Sequence, residues 1–165
     1  MDTWFKPSKP EDIKPIPWLG KKVIEYLESI LTKDMDVLEH GSGGSTLWFA
    51  SRVKRVTACE HDSAWKTEIQ KQAPENVVLM DARIPEKSVP FDLFLIDGEP
   101  IQNRAEWIQW ATYLVKPGGW IVLDNANRPE YAKEREELAQ KAKLIKRFDC
   151  NNGTQYLVTE FYKCE

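Results

Sequence analysis

Val37-Leu38-Glu39-His40-Gly41-Ser42-Gly43-Gly44-Ser45-Thr46 joins an apolar run to a helical pattern through a glycine-rich turn, and this stretch decides the fold. The apolar run predicts a buried strand that ends near Glu39, and residues 45–52 predict a short helix. Glycines permit turn conformations, so backbone N–H groups beside the start of the helix can point at a ligand. We therefore expect a strand, a binding loop and a helix in this order.

Four further apolar runs repeat this pattern along the chain, and each of them also ends on an acid. The five acids are Glu39, Glu60, Asp81, Asp97 and Asp124. Helical patterns between the runs predict parallel strands that are covered by helices on both faces. The carboxyl ends of parallel strands share one edge of the sheet, so the acids gather there and require solvent, protons or a positive partner. The pattern thus predicts a cationic ligand or a metal at this edge.

The segments on either side complete one domain. Residues 1–17 contain four prolines and predict an extended N-terminal arm, while residues 18–165 predict a single domain. Trp107 and Trp110 occur at helical spacing before the fifth strand, and we expect both in the core. The last two apolar segments flank a turn and predict a hairpin that adds an antiparallel strand. The fold class is therefore α/β, with one doubly wound, mostly parallel sheet.

Composition limits the partners of the protein. The chain of 165 residues carries 26 acidic and 23 basic residues, for a net charge of -3. The two signs are interspersed, so no basic stripe favours nucleic acid as a partner. No apolar run is long enough to span a bilayer, and the polar first residues lack the core of a signal peptide. We expect a cytoplasmic protein without a membrane partner, and a homodimer is left open.

The glycine-rich loop does not match the dinucleotide pattern. Thr46 stands where pyrophosphate-binding loops carry their third glycine. Glu60 follows Gly41 by 19 residues, at the end of the second strand, where a carboxylate can accept hydrogen bonds from both ribose hydroxyls. Glu39 would repel a pyrophosphate and attract an ammonium or a sulfonium group. These residues favour S-adenosylmethionine over NAD.

With these motifs, the chain from about residue 18 to its end resembles the class I S-adenosylmethionine-dependent methyltransferases. Their acid-x-Gly-x-Gly motif corresponds to Glu39–Gly43, and their late Lys-Pro-Gly-Gly turn corresponds to residues 116–119. The resemblance implies a Rossmann-like sheet of seven strands. It also implies that the methionine part contacts the glycine-rich loop, the ribose contacts Glu60, and the adenine contacts the third strand end. The implied cofactor-binding set is Glu39, His40, Gly41, Ser42, Gly43, Ser45, Glu60, His61, Asp81, Ala82 and Asp97.

Asp97 is the candidate catalytic residue because it ends the fourth strand, where the methyl acceptor is expected. A base that removes the proton of an acceptor hydroxyl contributes roughly a hundredfold to ten-thousandfold to the rate. Glu99, Arg104 and His40 are weaker candidates for this role, and each is also explained as a polar group of a loop or surface. Positioning alone can supply much of the rate of methyl transfer.

Asp97 together with Asp124 and Asn125 also resembles the metal site of the catechol O-methyltransferase-like branch. Three oxygen ligands and water would suit Mg²⁺, which implies a magnesium-assisted reaction. The chain departs from that branch because no lysine follows the fourth-strand acid within Gly98-Glu99-Pro100-Ile101. An Asp-Asn pair is also a common turn element, so both a metal site and a metal-free turn are left open.

The predicted function is methyl transfer to a small-molecule or saccharide-like acceptor, at oxygen. The chain lacks the Asn/Asp-Pro-Pro-Tyr/Phe motif of amino-group methylases and the Pro-Cys nucleophile of cytosine C5 methylases. The alternative is a non-catalytic subunit with the same cofactor fold that partners another enzyme. A short dehydrogenase is disfavoured because no Tyr-x-x-x-Lys pair is present. Trp4, Phe5 and Trp18 of the arm region either cover the acceptor or pack on the flank of the sheet.

Overall fold

The computed structural model of the protein describes residues 9–85, 90–151 and 156–165. Trp4 and Phe5 of the arm, and the hairpin turn at residues 152–153, lie outside the described residues. No helix among the described residues has the length and apolar character needed to cross a bilayer.

Strands and helices alternate along most of the described chain, as the sequence predicts. The strands are β1 (Asp36–His40), β2 (Arg55–Glu60), β3 (Val77–Asp81), β4 (Phe91–Ile96), β5 (Val115–Leu123), β6 (Ala142–Asn151) and β7 (Tyr156–Cys164). The α-helices are α1 (Lys21–Ile30), α2 (Gly44–Ala50), α3 (Ser63–Gln72), α4 (Arg104–Leu114) and α5 (Ala132–Lys141). Short 3₁₀ helices form at Pro10–Asp12, Ile101–Asn103 and Pro129–Tyr131.

The seven strands form one sheet in the order β3-β2-β1-β4-β5-β7-β6. The strands β1 to β5 pair in parallel, and β7 runs antiparallel to both β5 and β6. The predicted α/β fold with an antiparallel C-terminal strand is confirmed. The order reverses between β1 and β4, and a doubly wound sheet of this kind binds its ligands at the carboxyl edge beside the reversal.

Helices bury both faces of the sheet. On one face, α4 contributes Trp107 and Ile108 to an apolar cluster with the central strands. On the other face, Leu27 of α1 and Phe49 of α2 pack against the same strands. The expectation that Trp110 is a core residue is wrong, since 44% of it is exposed. Trp110 lies on the flank of the stripe through residues 104, 107, 108, 111 and 114 that α4 buries.

The Lys-Pro-Gly-Gly segment ends α4 as predicted, but the structure includes it in β5. Phe91 pairs with Val115 and Leu93 pairs with Trp120, so residues 116–119 form an irregularity in the ladder. Gly118 there has a φ of 75° and no neighbouring atom within 4 Å of a side chain added to it.

The described part of the arm is fixed to the domain. Its 3₁₀ helix packs against α3, and Ile13 is buried. The backbone oxygens of Lys14 and Ile16 lie so close to Gly44 that a side chain at Gly44 would clash with them. The arm therefore runs over the start of α2, next to the glycine-rich loop.

Candidate cofactor and acceptor site

A cavity of about 490 Å³ opens at the carboxyl edge of β1, β2, β4 and β5. This volume lies within the roughly 300–1,000 Å³ of small-molecule sites. The structure brings most of the predicted site residues to this one cavity. Its lining includes Glu39, His40, Gly41, Ser42, Gly43, Ser45, Glu60, His61, Asp97, Asp124 and Asn125.

Two glycines join the loops that follow β1 and β4. Gly41 has a φ of 98°, and a Cβ atom there would lie 2.8 Å from the Cα atom of Gly98. A Cβ atom on Gly98 would likewise lie 2.8 Å from the backbone of His40 and Gly41. Both positions therefore require glycine, because the two backbones are in contact. This contact joins the glycine-rich loop to the residue that follows Asp97.

The Glu39 carboxylate is held by the first turn of α2. Its two oxygens accept hydrogen bonds from the hydroxyls of Ser45 and Thr46. Only 2% of Glu39 is exposed, and burial raises its pKa to about 7, although the two hydroxyls oppose this shift. Both donors are neutral, so the ionised carboxylate keeps its negative charge for a positive group in the cavity.

Glu60 organises the other side of the glycine-rich loop. Its Oε2 atom accepts from the backbone N–H of Ser42 at 2.9 Å and from the Ser42 hydroxyl at 3.0 Å. Its Oε1 atom accepts from the backbone N–H of Asp62 at 2.9 Å and lies 3.0 Å from Nδ1 of His61. Glu60 thus fixes the loop conformation in addition to facing the cavity.

His40 is buried beneath the cavity. Its ring stacks on Trp107, with centroids 4.6 Å apart. Burial lowers the pKa of His40 to about 3, and the positive charge of Arg104 acts in the same direction. The imidazole is therefore neutral near pH 7. Its low pKa also makes it too weak a base to take a proton from a hydroxyl. Its Nδ1 atom has no hydrogen-bond partner among the described residues.

Two tryptophans form the wall beside the glycine-rich loop. The Trp18 ring packs close to Gly43: a Cβ atom added to Gly43 would lie 3.6 Å from the ring, which is an ordinary van der Waals distance. Trp65 meets Trp18 edge to face at 5.9 Å and donates its indole N–H to the Ser42 carbonyl at 2.8 Å. Both rings line the cavity, and the role of the arm region as a cover for the acceptor stays a prediction.

Asp97 and Asp124 form a carboxyl pair at the other end of the cavity. The pKa of each carboxyl group is raised above its usual value, in both cases mainly by burial. Burial and the neighbouring Asp124 raise the pKa of Asp97 well above its usual range, although Arg104 opposes the shift. Asp124 is 4% exposed and also accepts from the Thr159 hydroxyl at 2.6 Å. The pair therefore retains a proton to a higher pH than an isolated carboxyl group.

Arg104 crosses this end of the site from the first residue of α4. Its Nε atom donates to the Gly98 carbonyl at 2.8 Å. Its Nη2 atom donates to the Asp97 carbonyl at 2.7 Å and approaches the Asp97 carboxylate at 3.3 Å. Its Nη1 atom donates to the Asp124 carbonyl at 3.0 Å and to Oδ1 of Asn125 at 3.2 Å. A buried guanidinium therefore ties the loop after β4 to the loop after β5.

The residues predicted to bind magnesium do not form an open metal site. Arg104 donates to carboxylate or amide oxygens of both Asp97 and Asn125, and the third ligand, Asp124, is engaged by Thr159. Mg²⁺ requires oxygen ligands at 2.0–2.1 Å in octahedral geometry, with no other cation between them. Among the described residues, no cluster of three His, Cys, Asp or Glu side chains could hold a metal. The magnesium interpretation is not supported.

The structure does not bring Asp81 and Ala82 to the cavity lining formed by the described residues. The Asp81 side chain is 82% exposed and pairs with Lys66 of α3. This pairing lowers the pKa of Asp81, mainly through the hydrogen bond from Lys66. The predicted contact of these residues with adenine stays a prediction.

Sequence reasoning missed several residues of the site. Trp65, Gly98, Arg128 and Leu157 also line the cavity, and Arg104 was considered only as a weak candidate for a base. The absence of a lysine after the fourth strand was the one sequence feature that could have indicated another cation in the site, because crowded acids need a positive group nearby.

Comparison with known proteins gives one curated relative and many structural neighbours. No protein-family model matches the sequence. A catechol O-methyltransferase from Niastella koreensis is 24% identical over 146 residues, in an alignment that covers 78% of this chain and 66% of that protein. The chain thus spans just under two-thirds of the length of this relative.

Solved structures share the fold. An O-methyltransferase from Bacillus cereus in complex with S-adenosylhomocysteine has a TM-score of 0.69 at 18% identity, over 88% of this chain and 82% of that chain. The N-methyltransferase NodS from Bradyrhizobium japonicum, also with S-adenosylhomocysteine, has a TM-score of 0.67 at 13% identity, over 87% of each chain. An rRNA methylase from Streptococcus thermophilus has a TM-score of 0.68 at 14% identity, over 87% of this chain and 94% of that chain.

The chain has the Rossmann-like fold of the class I S-adenosylmethionine-dependent methyltransferases, and the resemblance inferred from its acid-glycine motif is confirmed. These neighbours are named for transfer to oxygen, for transfer to nitrogen and for rRNA, so the common fold leaves the acceptor open.

Proposed function

We propose that this protein transfers the methyl group of S-adenosylmethionine to a hydroxyl oxygen of a small-molecule acceptor. One observation carries the proposal: the acid-glycine loop, Glu60 and the Asp97–Asp124 pair border a single cavity. One end of this cavity therefore suits the cofactor, and the other suits the group that receives the methyl. The relative named for catechol O-methylation supports the choice of oxygen.

The cofactor end has the shape and charge that S-adenosylmethionine requires. Gly41 and Gly43 line the cavity without a side chain, and Glu60 fixes the Ser42 amide between them. The hydroxyls that donate to Glu39 and the backbone amides that donate to Glu60 are neutral and do not cancel the negative charge, while Nδ1 of His61 also lies 3.0 Å from Glu60. A ligand that carries a sulfonium and an ammonium group supplies the missing positive charge.

Residues at the acceptor end would handle the proton. In the reaction, the C–S bond of the cofactor breaks, a C–O bond forms, and the acceptor hydroxyl loses its proton. The Asp97 side chain is 24% exposed, so it can reach an acceptor while Asp124 behind it is buried. A positive ligand beside Asp97 favours its ionised form. Asp97 would then be ready to accept the hydroxyl proton.

Calorimetry and a methyl-transfer assay together test this proposal. We expect S-adenosylhomocysteine to bind the wild-type protein with a Kd well below 1 mM, and NAD to show no binding. Transfer of labelled methyl from S-adenosylmethionine should then be measured with catechol, caffeate and their amine-bearing analogues. Absence of binding by both sulfur ligands at millimolar concentration would contradict the proposal. Methylation of the amines but not of the hydroxyls would contradict the oxygen assignment.

The non-catalytic alternative makes a different prediction for the same assay. A subunit that only retains the cofactor fold would bind S-adenosylhomocysteine, but Asp97→Asn would not alter any methyl transfer by the protein with its partner. The proposed enzyme requires a large effect of this substitution on kcat.

A further inference from the structure

The buried Arg104 satisfies all of its hydrogen-bonding capacity within the site. A guanidinium has five N–H donors. Its partners are the carbonyls of Asp97, Gly98 and Asp124 and the side-chain oxygens of Asp97 and Asn125, which are five acceptors. Arg104 is 1% exposed and has no donor left for a substrate. It therefore acts on the site by positioning and by charge, without contacting the acceptor.

Two of the five acceptors are side-chain oxygens on which a divalent ion at this position would depend. Asp97 and Asn125 were predicted as metal ligands, and both direct side-chain oxygens at the guanidinium. A metal in such a site has two effects: it holds the loops after two strands together, and it balances carboxylate charge. Arg104 supplies both effects from within the chain, since it bonds both loops and forms an ion pair with Asp97.

We propose that Arg104 is a built-in replacement for a divalent cation, so that the acceptor end of the site assembles without any metal. The guanidinium and an ion would compete for the same oxygens. The guanidinium is part of the chain and is therefore always available at the site. This inference concerns the architecture of the acceptor end, and its test does not depend on methyl transfer. It can fail while the proposed function stands, and the reverse is also possible.

Mn²⁺ titration followed by electron paramagnetic resonance tests the replacement, because the signal of the free ion decreases on binding. Wild type and Asp97→Asn should give the same titration, with no Asp97-dependent site below about 1 mM. Arg104→Ala removes the guanidinium and leaves the acids, so Mn²⁺ affinity should rise at least tenfold over wild type. The double variant Arg104→Ala with Asp97→Asn should lose this gain.

Two further variants separate charge and position from a general loosening of the cavity. Arg104→Lys keeps a positive charge and should show no gain of Mn²⁺ affinity. Arg128→Ala removes another positive charge from the same cavity and leaves the bonds of Arg104 in place, so it should also show no gain. An equal gain in Arg128→Ala would mean that any lost charge attracts the ion, and the replacement would be refuted.

Two results would overturn the proposal directly. The first is submillimolar Mn²⁺ binding by the wild type that Asp97→Asn abolishes. The second is a folded Arg104→Ala protein with no gain in Mn²⁺ affinity. If the alanine variant does not fold, the pair of wild type and Asp97→Asn still decides between a metal site and a built-in cation.

Discussion

The two ends of the cavity solve the same electrostatic problem in different ways. At the cofactor end, Glu39 and Glu60 receive hydrogen bonds mainly from hydroxyls and backbone amides, which are neutral. At the acceptor end, Asp97 faces the Arg104 guanidinium, and burial together with Asp124 raises the pKa of Asp97 well above its usual range. The cofactor end therefore keeps its negative charge for a ligand, whereas the acceptor end is already balanced by the protein.

This difference shows what a row of acids at the edge of a sheet means. An acid at the end of every predicted strand suggested one electrostatic feature, but the partner of each acid depends on the side chains that other elements place beside it. Asp81 has Lys66 and Asp97 has Arg104, whereas the side-chain donors to Glu39 are neutral hydroxyls. Burial decides how strongly each acid needs its partner, because an uncompensated buried charge is unfavourable.

The largest expected effect is on catalysis at the acceptor end. Asp97→Asn removes the group that would accept the hydroxyl proton, and we expect kcat to fall by roughly a hundredfold to ten-thousandfold. The affinity for S-adenosylhomocysteine should change less than it does in Glu60→Ala, because the neutral amide keeps an acceptor for Arg104. Steady-state kinetics and calorimetry on the same preparation measure both values. A larger loss of affinity than of kcat would mean that the two ends are not separate.

The glycine contact between the two ends gives the second prediction. Gly41→Ala places a methyl group 2.8 Å from the Gly98 backbone at a φ of 98°. We expect overpacking and backbone strain to lower the free energy of unfolding by about 2–4 kcal/mol, and S-adenosylhomocysteine affinity to fall about a hundredfold. Urea titration and calorimetry measure these effects.

Gly118→Ala is the matched control for this substitution. Gly118 also has a positive φ, of 75°, but no atom lies within 4 Å of the added methyl group. Only the backbone strain of about 1–2 kcal/mol remains, and ligand affinity should not change. Equal effects at the two glycines would show that close contact between the loops is unimportant.

A third, smaller effect distinguishes two acids that end neighbouring strands. Glu60→Ala removes hydrogen bonds to the ligand and to Ser42, and S-adenosylhomocysteine affinity should fall by about 1–3 kcal/mol. Asp81→Ala should leave the affinity unchanged, because Asp81 is exposed and paired with Lys66. Calorimetry on both variants checks the contrast. A comparable loss in Asp81→Ala would instead support the contact with adenine that the resemblance implies.

The cofactor end was predictable from sequence because its contacts are local or follow from strand order. Glu39, Ser45 and Thr46 are within one strand, loop and helix, and Glu60 lies on the next strand of the sheet. The parallel order of strands then places these residues at one edge. The confirmed fold and the composition of the cavity at this end follow from such short-range rules.

The acceptor end was less predictable because three-dimensional packing determines its chemistry. The same three residues, Asp97, Asp124 and Asn125, could bind either a metal or a guanidinium. The direction of the Arg104 side chain decides between these two arrangements, and the sequence does not give it. The importance of Gly98 follows from its contact with Gly41, which has no signature in either loop. Trp110 was misassigned for a related reason, since helical spacing does not define the edge of the buried stripe.

The pH dependence of S-adenosylhomocysteine binding tests the charge of the cofactor end most directly. Burial raises the pKa of Glu39 to about 7 in the free protein, so the carboxyl group is mostly protonated at pH 6 and mostly ionised at pH 8. The ammonium group of the ligand favours the ionised form, and affinity should therefore rise about tenfold between these pH values. Glu39→Gln should bind more weakly and with little pH dependence, whereas His61→Gln should retain the dependence of the wild type. Affinity that does not change with pH in the wild type, or that changes equally in Glu39→Gln, would contradict the claim that this end of the cavity holds its negative charge for a positive ligand.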